Sequence, residues 1–116
     1  MSNSTLTVQD EQQGDVTVIK LAGSIDAATA PRLSEALKKQ LDGGQYKLLC
    51  DMSGVDYISS AGVGTLLAAL KDTKSNSDKL VLAGVQPTVK DVFDVLRFPP
   101  LFVFAAGAAD GLKEFS

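Results

Sequence analysis

The chain has 116 residues, an apolar share of 45%, a charged share of 22% and a formal charge of −3. This size predicts one domain over residues 1–116 with a hydrophobic core of its own, and the composition is typical of an ordered globular protein. The acidic balance argues against a nucleic-acid partner, and the absence of histidine excludes a Ser-His-Asp triad and any imidazole metal ligand.

Apolar periodicity and turn residues predict strands and helices that alternate along most of the chain. The predicted strands cover residues 6–11, 16–22, 47–51, 80–83 and 101–104. The predicted helices begin at Ala30, at about Ser60 and at Pro87, and a short last helix carries Ala108, Leu112 and Phe115. The short connection between the first two strands implies an antiparallel pair, and the later alternation implies right-handed crossovers. The sequence therefore predicts an α/β fold, ordered β-β-α-β-α-β-α-β-α, with a mixed, mainly parallel sheet.

Four boundaries depend on particular residues. Thr29 precedes the first helix, where its side chain can accept a hydrogen bond from a free backbone N–H. Gly43 and Gly44 end that helix, because glycine accepts the left-handed conformation that a helix end often needs. Residues 52–59 are predicted to form a loop before the second helix, and residues 98–100, which contain two prolines, are predicted to end the third helix.

The single cysteine and the acidic residues have structural interpretations. Cys50 lies in an apolar run, so we expect a buried side chain, and alone it forms neither an internal disulfide nor a thiolate zinc site. Asp26, Asp51 and Asp56 could hold a divalent cation, but we expect structural roles at strand ends and therefore no metal or other cofactor. No apolar stretch approaches the ~20 residues that span a bilayer, and the first residues do not form a secretory signal. The sequence predicts a cytoplasmic protein without membrane insertion.

Two adjacent serines stand where the loop turns into the second helix. A helix N-terminus has free N–H groups and a partial positive charge, so it favours an anion. Ser59 or Ser60 could simply cap the helix, or one of them could bind or accept a phosphate. The segment lacks the lysine of a phosphate-binding P-loop and does not match the G-x-S-x-G nucleophile elbow. The residue pattern alone leaves these alternatives open.

Two stretches resemble the STAS domain family, the bacterial anti-sigma factor antagonists. Residues 51–67 read DMSGVDYISSAGVGTLL and resemble the family's D-x-S-x-V-x-[FY]-[IM]-D-S-[ST]-G-[LV]-G-x-[LF]-L. Residues 21–33 read LAGSIDAATAPRL and resemble its L-x-G-[ED]-[LI]-D-x-x-[TN]-A-x-x-L. The predicted order of strands and helices also agrees, so the resemblance covers essentially the whole chain and implies the STAS fold.

The resemblance implies that Ser60 is the serine phosphorylated by a partner kinase. Ser59 stands where many members have aspartate, which removes a negative charge and can alter recognition by the kinase. Ala61 replaces the usual serine or threonine after the acceptor, and Asp26 falls on an acidic residue near the phosphorylation loop. The residues expected to surround the acceptor or contact the partner are Asp26, Thr29, Ser59, Ala61 and Gly62. Asp26 and Thr29 could instead serve only to cap the loop and the helix.

By resemblance, the chain is a binding protein and not an enzyme. Its unphosphorylated form binds an anti-sigma factor serine kinase and so frees a sigma factor, and phosphorylation of Ser60 releases it. A metal-dependent serine/threonine phosphatase resets the switch, and we expect a monomer. The alternative is a STAS module that does not switch, either a scaffold or a soluble subunit of a lipid-transport ATPase complex. A pulldown distinguishes the two by the protein that is captured.

Overall fold

The chain forms a mixed five-stranded sheet with helices between the strands in a computed structural model that describes residues 5–96 and 102–115. The strands are β1 (Leu6–Gln13), β2 (Val16–Ile25), β3 (Leu48–Ile58), β4 (Leu80–Ala83) and β5 (Val103–Ala105). The helices are α1 (Ala30–Asp42), α2 (Ser60–Ser75), α3 (Pro87–Leu96) and α4 (Ala108–Lys113). This order confirms the prediction.

The strands lie in the sheet in the order in which they occur in the sequence, from β1 to β5. β1 and β2 are antiparallel, while β2, β3, β4 and β5 pair in parallel, as predicted. Gly14 forms the turn of the first hairpin at φ +66°, a left-handed conformation that glycine adopts without strain. The C-terminal ends of the parallel strands all lie on the same side of the sheet, and the loops that lead into the helices begin there.

The helices cover the two faces of the sheet unequally. The apolar stripes of α1, α2 and α3 pack on one face, where Leu33, Leu66 and Phe93 join one large buried cluster. A smaller cluster on the other face joins the sheet to α4 through Leu112 and its neighbours. Each strand of the parallel part is therefore covered on both faces over part of its length, which explains the near-continuous apolar runs in the sequence.

Cys50 is fully buried in the larger cluster, as predicted, and burial raises the pKa of its thiol to about 12. We therefore expect the folded protein to resist alkylation by iodoacetamide at pH 8, and the thiol to react once urea unfolds the chain.

The raised pKa of Cys50 also predicts a pH dependence of stability. The thiol ionises near pH 9 in the unfolded chain but not in the folded protein, so the free energy of unfolding should fall as pH rises above 9, by up to about 1.4 kcal/mol per pH unit. Urea titrations at pH 8, 9 and 10 measure this pH dependence for the wild type and for Cys50→Ala. The variant should lack the part of the slope that comes from the thiol.

The third strand is longer than predicted. The sequence places a strand at residues 47–51 and a loop after it, but β3 continues to Ile58. Two irregularities explain the difference, because the register of β2 against β3 shifts between Lys20 and Ala22 and again between Gly23 and Ser24. In each shift β3 carries an extra residue, as in a β-bulge. The buried residues of this part of β3 are Met52, Val55 and Ile58, a spacing of three that does not match the alternation of a regular strand.

Two predicted boundaries fall outside the described residues. The prolines at residues 98–100 were expected to end the third helix, and the description of α3 stops at Leu96. The predicted strand at residues 101–104 corresponds to β5, which begins at Val103. The prediction that Gly43 and Gly44 end the first helix is confirmed, because Gly43 is the C-cap of α1. The left-handed conformation occurs at Gly44, with φ +81°, and not at Gly43, with φ −82°.

Candidate functional site

The candidate site lies where β2 and β3 end and α2 begins. The backbone N–H of Ser59 donates to the carbonyl oxygen of Ile25 at 2.7 Å, so the end of β2 is hydrogen-bonded to the residue before α2. Ile25 and Ile58 are themselves paired across the sheet, and both are buried. The start of α2 is therefore held by this hydrogen bond at the C-terminal ends of two interior strands, β2 and β3, which restricts where its first side chains can lie.

Ser59 is the N-cap of α2. Its backbone is extended, with φ −96° and ψ 172°, and its hydroxyl accepts a hydrogen bond from the N–H of Gly62 at 3.4 Å. Its carbonyl oxygen accepts from the N–H of Val63 at 3.0 Å, which begins the hydrogen bonding of the helix. The side chain is half-buried. Ser59 thus performs the capping role that the sequence left open between the two serines.

Ser60 is the first residue of α2, and its side chain is exposed. Within residues 5–96 and 102–115, its hydroxyl has no hydrogen-bond partner. An exposed hydroxyl at this position can be reached by another protein, and a phosphate on it would lie near the partial positive charge of the helix N-terminus. The hydroxyl of Ser59 therefore caps α2, whereas the hydroxyl of Ser60 is accessible to another protein.

Gly62 allows the first turn of α2 to approach the sheet. A Cβ atom at this position would lie 2.6 Å from Cγ2 of Ile25 and 2.7 Å from Cγ1 of Ile58, so no side chain has room there. Gly64, two residues further along α2, would have its Cβ in open space. Gly62 thus has a structural role in bringing α2 close to the sheet, and its predicted place around Ser60 stays a prediction. Ala61 is exposed beside Ser60.

Asp26 and Thr29 close the loop that precedes α1. One oxygen of Asp26, Oδ1, accepts from the N–H groups of Ala28 and Thr29 at 3.0 Å each. The hydroxyl of Thr29 donates to the carbonyl oxygen of Ser24 at 2.7 Å and accepts from the N–H of Asp26 at 2.9 Å. These bonds fix the loop that faces the start of α2.

The predicted capping hydrogen bond of Thr29 is wrong. Thr29 occupies the N-cap position of α1, but its side chain makes no hydrogen bond to that helix. The reason is that its hydroxyl is already engaged between Ser24 and Asp26, two residues that precede the helix. Asp26 instead uses its side chain to satisfy the N–H groups before α1, as an Asx turn does. Thr29 is also buried, at 8% exposure, whereas Asp26 is half-buried.

Ser24 and Tyr57, near the start of α2, were not singled out from the sequence, and Asp56 was considered only as a possible cation ligand. Asp56 is the extra residue of the second β-bulge, because Val55 pairs with Gly23 and Tyr57 pairs with Ser24. The hydroxyl of Ser24 donates to Oδ1 of Asp56 at 3.3 Å across this bulge. Asp56 and Tyr57 are both exposed, although they are consecutive in a strand. The only signal in the sequence was the spacing of three between the buried residues of β3.

The surroundings of Ser60 are acidic. Residues 24–31 and 51–64, which form the two loops and strand ends of the site, contain Asp26, Asp51 and Asp56 but no lysine or arginine. Asp51 accepts from the N–H and the hydroxyl of Ser53 at 3.1 and 2.8 Å, a structural role. Within the part of the chain that the structure describes, no three cysteine, aspartate or glutamate side chains are grouped so that they could hold a metal ion. A phosphate on Ser60 would therefore add to existing negative charge.

Comparison with known proteins identifies a family that matches almost the entire chain. The sequence profile described as STAS domain matches residues 7–110. The anti-sigma-B factor antagonist of Listeria monocytogenes is 33% identical over 85 residues, which cover 73% of this chain and 75% of that protein. The anti-sigma-B factor antagonist of Staphylococcus epidermidis is 27% identical over 90 residues, which cover 78% and 83% of the two chains.

Solved structures show the same fold. An anti-sigma factor antagonist from Mycobacterium paratuberculosis superposes with a TM-score of 0.85 over 97% of this chain and 96% of its own, at 21% identity. The Bacillus cell fate determinant SpoIIAA in its phosphorylated form gives a TM-score of 0.73 over 95% and 100% of the two chains, at 18% identity. Among the described helices, none has the length and apolar character needed to cross a membrane.

Proposed function

Because this chain belongs to the STAS domain family, we propose that it is an anti-sigma factor antagonist that switches partners through phosphorylation of Ser60. Unphosphorylated, it binds a kinase-type anti-sigma factor, and the sigma factor held by that protein is released. Phosphorylated, it dissociates, and a serine/threonine phosphatase returns it to the binding form. The protein acts by binding rather than by catalysis, as a monomer in the cytoplasm.

The observation that carries this proposal is the difference between two neighbouring hydroxyls. The hydroxyl of Ser59 caps α2 and is half-buried, whereas that of Ser60 is exposed and has no hydrogen-bond partner in the described residues. Phosphorylation of Ser60 thus breaks no hydrogen bond among residues 5–96 and 102–115. The relatives support the same role, since several are named anti-sigma-B factor antagonists and one structural neighbour is a phosphorylated form.

The chemistry requires little of this chain beyond presenting Ser60. The γ-phosphoryl group of ATP, bound with Mg²⁺ by the kinase, passes to Oγ of Ser60, the hydroxyl proton goes to a base of the kinase, and ADP leaves. The product gains about −1.5 to −2 charge at pH 7. The helix N-terminus stabilises this charge, so the fold survives while the contact surface becomes strongly negative.

Mass spectrometry tests the proposed acceptor. The protein is incubated with the anti-sigma factor kinase of its source organism and Mg-ATP, and the phosphorylated peptide is sequenced. We expect one phosphate on Ser60, complete loss of labelling in Ser60→Ala, and labelling close to that of the wild type in Ser59→Ala, because only the exposed hydroxyl is free to react.

Other outcomes have defined meanings. Phosphate on Ser59 or Ser53 would move the acceptor and contradict the assignment to Ser60. No phosphate on any residue would support the alternative, a STAS scaffold or a transporter subunit that does not switch. Ser59→Ala is the matched control, because it removes a hydroxyl of the same chemistry one residue away at the cost of an N-cap, about 1 kcal/mol of stability.

A further inference from the structure

Tyr57 is an exposed aromatic residue close to the proposed acceptor. It has 52% of its surface exposed and is the second-last residue of β3, while its neighbour Ile58 is 1% exposed. Strand residues normally alternate between the two faces of a sheet. An aromatic side chain at the end of a central strand is expected to be covered, so its exposure calls for a structural cause.

The cause is the second β-bulge of β3. Val55 pairs with Gly23 and Tyr57 pairs with Ser24, so Asp56 has no opposite residue on β2. A bulge of this kind bends the strand and redirects the side chains that follow, and bulges are common beside functional sites. The bulge is held by the hydrogen bond from the Ser24 hydroxyl to Asp56, at 3.3 Å. Tyr57 is thus fixed in an outward position by the local backbone.

Tyrosine is well suited to anchor a protein interface. It offers a large apolar ring with few rotatable bonds and a hydroxyl that can form a hydrogen bond, and it is enriched among the residues that dominate binding energy. Asp56, the residue before Tyr57 in β3, is also exposed and carries a negative charge. The complementary surface is therefore an apolar pocket bordered by a lysine or an arginine.

We infer that Tyr57 is the aromatic anchor with which this protein docks on its partner, in an apolar pocket that a basic residue of the partner borders opposite Asp56. This inference rests on the proposed function, because it takes the partner to be the anti-sigma factor kinase. It adds a determinant of affinity that the acceptor serine does not supply. Phosphorylation of Ser60 then controls whether the two proteins bind, while Tyr57 contributes to the affinity of the unphosphorylated form.

Calorimetric titration tests the inference. The probe is the purified anti-sigma factor kinase of the source organism, loaded with a non-hydrolysable ATP analogue so that no phosphate is transferred. Tyr57→Ala and Tyr57→Gln should each raise the Kd about 30-fold, because both remove the ring. Tyr57→Phe should stay within about threefold of the wild type, because it keeps the ring and loses only the hydroxyl.

A matched control removes another exposed apolar side chain. Val95 is 78% exposed and lies near the C-terminal end of α3. This helix begins near the C-terminal end of β4 and runs back along the sheet. Val95 therefore lies toward the N-terminal ends of the parallel strands, away from Tyr57. Val95→Ala should bind like the wild type. Asp56→Asn keeps an oxygen that can accept from Ser24 and removes the charge, so it should weaken binding and reduce the salt dependence of the Kd.

The outcomes separate this inference from the proposed function. If the wild type binds the kinase and Ser60→Asp binds weakly, but both Tyr57→Ala and Tyr57→Gln bind like the wild type, the inference is wrong and the proposed function stands. If the wild type does not bind the kinase at all, the proposed function fails and the inference fails with it. Circular dichroism melting should give the Tyr57 variants midpoints near that of the wild type, because the side chain is half exposed.

Discussion

Ser60→Asp should raise the Kd for the anti-sigma factor kinase about 100-fold, because the new carboxylate would lose its water in the interface without a partner placed to receive it, which costs several kcal/mol. The new carboxylate would stand at the exposed start of α2, beside loops that already carry Asp26 and Asp56. Ser60→Ala should bind like the wild type, because it adds no charge and the Ser60 hydroxyl has no hydrogen-bond partner among residues 5–96 and 102–115. Calorimetric titration of both variants measures the difference.

Ser59→Asp tests whether an added negative charge weakens binding regardless of its position at the start of α2. It adds the same carboxylate one residue earlier, at the half-buried N-cap, where aspartate is a favourable residue and where many family members have it. We expect this variant to keep most of its affinity. Equal weakening by Ser59→Asp and Ser60→Asp would show that the kinase senses net charge and not the position of the charge. Equal binding of Ser60→Asp and Ser60→Ala would contradict the charge switch.

Gly62→Ala should lower the free energy of unfolding by about 2 kcal/mol, because overpacking a well-packed core typically costs 1–3 kcal/mol. The new methyl group would lie 2.6 Å from Cγ2 of Ile25 and 2.7 Å from Cγ1 of Ile58, and both isoleucines are buried. The first turn of α2 would have to move away from the sheet. Since that turn carries Ser60, phosphorylation by the kinase should slow as well.

Gly64→Ala is the matched control on the same helix. Its methyl group would meet open space, so only the helix propensity changes, and stability should rise by about 0.5–1 kcal/mol. Urea unfolding followed by circular dichroism compares the two variants. If Gly62→Ala were as stable as Gly64→Ala, α2 would not be packed against β2 and β3 as closely as described.

The order of the elements could be predicted from the sequence because each helix has a clear apolar stripe and each buried strand a short apolar run. The pattern failed at β3, because a bulge changes the spacing of buried residues from two to three and so hides the strand. A residue such as Asp56, which has no opposite residue on β2, can be recognised only once the register of two distant segments is known.

The site was predictable as a segment but not in its details. The resemblance pointed to Ser60, yet nothing in the sequence distinguished the hydroxyl that caps the helix from the one that is exposed. That distinction depends on the extended backbone of Ser59, which turns its side chain toward Gly62. The role of Thr29 was missed for a similar reason, because its hydroxyl binds Ser24 rather than the helix that it precedes.

The consecutive order of the strands in the sheet bears on how the chain folds during synthesis. Since each strand pairs with its neighbour in the sequence, every new strand adds to the outer edge of the sheet already made, and none has to insert between two others. Chains are synthesised from the N-terminus, so β2, β3 and α2, which form the candidate site, emerge before β4. The free edge of β3 then stays unpaired until β4 arrives, so β4 is the strand that protects the nascent chain from pairing with other chains at this edge.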